Sequence, residues 1–237
     1  MAKGVYMCKS CHQDICAKRV SLFSSLDDEQ LIKIINLVIH KTYKKGEALI
    51  FEGQPFNSLV IINKGQVKGF KTTIEGKEQI LYIFSDGDFF GEKNLLRNQP
   101  SGYTVEALEE THVCLIEKGD FQTLIQEYPD IALKIMEELG NRLDHLENVV
   151  ESMGTKTVDS RISSVILEFA NKFGTDDPRG TLIELPLSRE GIANYIGITR
   201  ETVSRKMSML QEEGVLEIIG NKKLLLLDRS ALERAIE

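Results

Sequence analysis

Gly197-Ile-Thr-Arg-Glu-Thr-Val-Ser-Arg205 is the stretch that decides how this chain folds. Gly197 suits the left-handed conformation that lets two helices meet at a steep angle, and Thr199 is placed to cap the second of them. The spacing predicts that this second helix runs through Glu212 and is stopped by Gly214. On it Val203, Met207 and Leu210 share an inward face, while Arg200, Glu201, Ser204 and Arg205 point elsewhere. Upstream, Leu187 to Ile196 has apolar residues at helical spacing behind Ser188, a second N-cap. A polar helix face carrying arginines fits base edges in a major groove, where Arg can bond guanine bidentately and Glu can accept from cytosine. A merely solvated face would not require turn, caps and apolar packing to agree as they do here. The pattern predicts a helix-turn-helix that binds double-stranded DNA.

Around this motif the C-terminal third reads as a complete small domain. Val158 to Phe173 is predicted as its first helix, Gly174 to Gly180 as a loop and Leu182 to Leu185 as a short strand. Leu216 to Ile219, the Gly220-Asn221 turn and Leu224 to Leu227 form a hairpin, which makes the unit a winged helix. Lys222 and Lys223 at the wing tip are natural phosphate contacts, although plain solvation accounts for either equally well. Before it, from Asp130 to about Thr157, Met136, Leu139, Leu143, Leu146, Val150 and Met153 follow alternating steps of three and four. That is the seam of a coiled coil. A helix packed on its own domain would give a similar stripe. A homodimer seam fits better, because a helix-turn-helix reader spans two half-sites with two copies.

From Leu22 to about Glu127 the texture is of short apolar or alternating runs between glycine turns. Ala48 to Phe51, Leu59 to Ile62, Val67 to Phe70 and Gln79 to Ile83 are such runs, preceded by an amphipathic helix from Asp27 to Ile39. Their interval is that of a jelly roll. The expected class is therefore α+β, in four parts: a cysteine-bearing leader (1–20), a β-roll sensor domain (21–128), a dimerisation helix (129–157) and a winged helix-turn-helix domain (158–237).

Cys8, Cys11 and Cys16 crowd the leader, and Cys114 is the remaining cysteine of the four. No signal peptide or membrane-spanning run is visible, so a cytoplasmic location without membrane contact is expected. In a reducing compartment four cysteines point to a metal site or redox switch more than to a structural disulfide. Three neighbouring thiolates with a remote fourth suit a [4Fe–4S] cluster, one thiolate per iron. Zinc on the same four, or on three with His12 or His112, and a disulfide switch remain open.

The net charge of −7 excludes strong indiscriminate binding to nucleic acid but not a local basic surface. No Ser/His/Asp set, nucleotide loop or paired acid site stands out, so an enzyme is not expected. Asp86, Asp88 and Glu92 form a small acidic group best read as a solvated loop.

Taken together, these residues resemble the Crp/Fnr family of bacterial transcription regulators over nearly the whole chain. Lys45-Gly-Glu47, Glu52-Gly53, Gly65-Gln-Val-Lys68 and Gly87-Asp-Phe-Phe-Gly-Glu92 look like the family's cyclic-nucleotide-binding-like β-roll, and Gly191 to Gly214 is similar to its recognition motif. The cyclic-AMP branch carries an Arg-Ser-Ala that holds the cyclic phosphate. Here that place reads Ser101-Gly-Tyr103, without the guanidinium. The resemblance is nearer to the oxygen-sensing FNR (fumarate-and-nitrate-reduction) branch, with leader cysteines and a late-strand cysteine matched by Cys114. It implies a [4Fe–4S] cluster on Cys8, Cys11, Cys16 and Cys114, although only four residues separate Cys11 from Cys16 where the best-known members have five. It also implies RNA polymerase as a partner and TGA-containing palindromes read by Glu201, Ser204 and Arg205, with Arg205 on the guanine. Arg200 leaves the base pair outside that core undecided. A second departure is Leu146, where FNR-type dimer helices place an aspartate on the seam. Removing that like-charge penalty predicts a dimer that forms even without the metal.

Overall fold

The computed structural model describes Ala17 and residues 20–97 and 99–236. Two compact units divide within the long helix, the first ending at Arg142 and the second running from Leu143 to Glu237 together with Thr72–Ile80.

The first unit opens with a short 3-10 turn, Ser21–Phe23, and then α1, Asp28–Leu37. Asp27 accepts from the Gln30 amide while the Gln30 side chain accepts from the Asp27 amide, which satisfies two free donors at once. The expected extension of α1 to Ile39 does not occur. Val38 is already extended, and Ile39 begins β1, Ile39–Tyr43, a run rich in β-branched and aromatic side chains. There follow β2 (Ala48–Ile50), β3 (Ser58–Lys64), β4 (Val67–Thr72), β5 (Glu78–Phe84) and β6 (Phe89–Phe90). After α2, Glu92–Arg97, come β7 (Thr104–Ala107) and β8 (Thr111–Glu117), then α3, Lys118–Glu127, which the sequence texture did not announce.

The strands form two four-stranded sheets, ordered β1-β8-β3-β6 and β2-β7-β4-β5. Alternation along β3 and β8 sends Val60, Ile62, Val113 and Leu115 to one face, and Leu59, Ile61, Cys114 and Ile116 to the other. The second set joins Leu22, Phe23, Leu31, Ile34, Phe121 and Ile131 in one buried cluster, so helices cover that face of the sheet. Ala17 and Val20 belong to the same cluster.

The long helix α4 spans Pro129–Thr155, so the proline is its first residue, one position before the start that the spacing gave. It ends two residues short of Thr157, which instead caps the next helix by accepting from the Ser160 amide. Ile131, Ile135 and Arg142 are buried along one side of α4. Met136, Leu143 and Val150 lie exposed along another, with Leu146 half-buried between them. Leu139 also packs against the roll's buried cluster, and the Met153 side chain lies outside the described residues.

The second unit carries α5, Val158–Phe173, then β9, Gly174–Asp177, and β10, Gly180–Glu184. The segment 174–180 is thus a strand and turn and not a loop. Its Gly-Thr-Asp-Asp composition has little β-propensity, and pairing with β10 overrides it. Next come α6 (Arg189–Ile196), α7 (Arg200–Glu212), the hairpin β11 (Leu216–Ile219) and β12 (Lys223–Leu226), and α8 (Arg229–Arg234), a helix that was not foreseen. The wing is larger than a hairpin, since β11-β12-β10-β9 form one four-stranded sheet. Among the described residues no helix is long and apolar enough to cross a membrane.

Candidate functional site

The recognition surface is built by local chemistry. Ser188 accepts from the Gly191 amide at the start of α6, and Thr199 from the Thr202 amide at the start of α7. Between them Gly197 sits at φ 71°, ψ 41°, the left-handed turn that residues with a Cβ adopt only at a cost. Val203 and Met207 are fully buried and Leu210 half-buried, which fixes the rotation of α7. That rotation leaves Arg200, Glu201 and Arg205 exposed and Ser204 half-exposed on the outer face. Lys206 is held by Asp159 of α5 at 2.6 Å, tying the reading helix to the domain's first helix. Lys222 and Lys223 are both exposed at the wing tip. Behind α6, Tyr195 donates to Glu168 Oε1 at 2.7 Å, and desolvation together with that carboxylate pushes the phenol's pKa well up.

In the roll, the Gly91-Glu92 pair is built into the fold's interior. Gly91 has φ 96°, and a Cβ there would stand 2.4 Å from the Ser58 carbonyl oxygen. Glu92 is 1% exposed, and its Oε1 accepts from Arg142 Nη1 at 2.7 Å. Arg142 also donates to the Phe89 carbonyl and to Glu138, and its guanidinium lies over the Phe84 and Phe89 rings. Burial works against the Arg142 charge, but Glu92, then Glu138 and Tyr103, outweigh it and raise the pKa. Tyr103 packs against Tyr82, with ring centres 5.4 Å apart, and closes over Gly69. Desolvation, then the nearby Glu92, push its pKa up. The expected solvated acidic loop holds for Asp86, which is exposed, and fails for Glu92, which is buried. Asp86 accepts from the Gly65 amide, Asp88 from the Ser85 amide, and Glu92 is the buried partner of an arginine. Each acid staples a turn or neutralises a charge.

Cys114 lies on the helix-covered face of β8 and is 5% exposed. It lines a cavity with Ala17, Val20, Phe23, Ile34, His40 and Ile61, among others. Cys8, Cys11 and Cys16, and His12 with them, lie outside the described residues, but Ala17 follows Cys16 directly in the chain. The antiparallel register of β1 on β8 sets His40 opposite Cys114, and the two side chains meet with Nδ1 3.5 Å from Sγ. His112, which the sequence offered as a ligand, is engaged elsewhere, by Thr42 at 3.0 Å and Glu110 at 3.4 Å. Burial lowers the His40 pKa. No group of three or more metal-ligating side chains assembles among the described residues. A buried thiol with an imidazole 3.5 Å from it thus offers two of the donors that a metal site needs.

A β-roll, a long helix with an exposed apolar stripe and a winged helix-turn-helix give the chain the layout of a DNA-binding regulator. Residues 40–128 match the family model of the cyclic nucleotide-binding domain, and residues 160–235 that of the Crp-like helix-turn-helix domain. The probable transcriptional regulator flp of Lacticaseibacillus casei is 32% identical over 212 residues, 89% of this chain and 94% of its own length. The transcriptional activator protein FnrL of Cereibacter sphaeroides is 25% identical over 235 residues, covering 96% and 91%. Among solved structures, FixK2 from Bradyrhizobium japonicum superposes with a TM-score of 0.76 at 26% identity, over 84% of this chain and 98% of that one. The chain belongs to the Crp/Fnr family of transcription regulators.

Proposed function

We propose that this regulator senses oxygen or redox state through a [4Fe–4S] cluster and binds TGA-containing palindromes as a homodimer that engages RNA polymerase. Cys8, Cys11, Cys16 and Cys114 would hold the cluster, which supplies an oxygen-labile tie between leader and roll. The observation that carries this reading is the place of Cys114. It is buried in the cavity that Ala17 also lines, one residue after the last leader cysteine.

Cyclic-nucleotide sensing is disfavoured by the same roll. The Glu92 carboxylate is neutralised from within by Arg142, no arginine stands at Ser101-Gly-Tyr103, and the Tyr103 ring occupies space beside Gly69. A negatively charged phosphate brought there would lack a guanidinium partner. On the DNA side, Arg205 and Glu201 are exposed on a helix fixed at both ends, which supports base reading by these two with Ser204, and Lys222 and Lys223 on phosphates. Arg200 stands beside them at the helix start. Zinc on the leader thiolates is the second reading, favoured by the nitrogen donor beside Cys114.

The deciding experiment is visible absorption with iron and acid-labile sulfide analysis on protein purified without oxygen, repeated after admitting air. Broad charge-transfer bands with about four irons per chain, bleaching in air, are expected. Colourless protein carrying zinc, or carrying no metal and a disulfide after oxidation, overturns the cluster.

A further inference from the structure

We infer that His40 is a positioning residue of the sensor site: its imidazole donates a hydrogen bond through Nδ1 to the Cys114 sulfur when that sulfur is a metal-bound thiolate. The inference rests on the four-cysteine reading above. On adjacent antiparallel strands, residues directly opposite share a face, and His40 and Cys114 are such a pair. The strands, and not a flexible loop, therefore set the 3.5 Å between Nδ1 and Sγ. As a free thiol, Cys114 can donate to the imidazole or accept from it. A thiolate on a metal has lost its proton and can only accept, so the imidazole must then carry its proton on Nδ1.

The surroundings make that hydrogen bond count. Val20, Phe23, Ile34 and Ile61 line the cavity with apolar surface, where a hydrogen bond is stronger than in water. A donor to a ligand sulfur draws charge from it, which lowers its basicity and weakens the bond it makes to the metal. His112 cannot substitute, because Thr42 and Glu110 hold it two residues along the strand.

The test uses the full chain, isolated without oxygen, as wild type, His40→Leu and His40→Gln, the last keeping an N–H donor. Three quantities are read: iron per chain, the iron–thiolate stretching frequency by resonance Raman, and the rate at which a chelator removes iron without oxygen. Both variants are expected to keep the wild-type iron content. His40→Leu should raise the thiolate stretching frequency and slow the release of iron, because the sulfur then keeps its full charge for the metal. His40→Gln should restore most of both. A His40→Leu protein with unchanged frequency and rate overturns the inference. Loss of all iron in both variants, matching Cys114→Ser, also overturns it and makes His40 a ligand. A wild-type protein without iron removes the four-cysteine reading and this inference with it, a result distinct from the other two.

Discussion

At the scale of single residues, the most consequential side chain is Arg142, which nothing in the sequence singled out. It is 8% exposed and meets Glu92, itself 1% exposed, in a pair that is also braced by the Phe89 carbonyl and Glu138. Removing one partner of such a pair leaves the other charge buried without compensation, a cost of about 3–5 kcal/mol. Arg142→Ala should lower the urea midpoint accordingly, and the double variant Arg142→Met with Glu92→Gln should regain much of that loss. Equal destabilisation in single and double variants would mean that Arg142 acts by packing alone. Arg205 is the opposite case, exposed and expected to act only on DNA. Its replacement by Ala should leave stability unchanged, weaken binding by about 1–3 kcal/mol and relax specificity at one base pair. Competition binding against half-sites altered one base at a time reads this out, and uniform weakening on all sequences overturns the base-reading role.

At the scale of elements, local chemistry governs. Ser188 and Thr199 each satisfy an amide that the helix start leaves free, so Ser188→Ala and Thr199→Ala should each cost about 1 kcal/mol in thermal unfolding. Gly197→Ala should cost about 1–2 kcal/mol, because φ 71° is left-handed. These features were legible because cap, turn residue and apolar spacing lie within a few residues of one another. The same holds for α5, α7 and β11, which begin and end within a residue of their predicted bounds. What the sequence concealed depends on partners distant along the chain. β9 exists because β10 offers it a ladder, and Gly174-Thr-Asp-Asp177 alone does not announce a strand. His40 was indistinguishable from any histidine in a short polar run until the register of β1 on β8 placed it against Cys114. Arg142 left one faint signal. It stands seven residues after the buried Ile135 and eleven after Ile131, in phase with α4's covered side and not with its exposed stripe.

At the scale of the whole molecule, the open matter is what α4 does in solution. Leu133, Met136, Leu143 and Val150 are between 57% and 70% exposed, on a helix whose other side is committed to the roll. Burying such side chains is worth about 1.5–3 kcal/mol each when complete. The stripes of two copies together therefore supply on the order of 10 kcal/mol, because each residue is already part covered. Association costs roughly 4–15 kcal/mol in lost freedom and side-chain ordering. With the two sides so nearly matched, the residue at the middle of the seam decides the outcome. That residue is Leu146, half-buried and apolar, while Asp144 lies exposed off the seam. The metal-free protein should therefore sediment as a dimer at micromolar concentration, and Leu146→Asp should sediment as a monomer, since a carboxylate from each copy would be brought together and desolvated. The dimeric result would separate assembly from sensing, leaving the signal to act by reorienting DNA-binding domains already joined. A metal-free monomer that dimerises on reconstitution would instead couple the two, and the apolar seam would then be too weak to act alone.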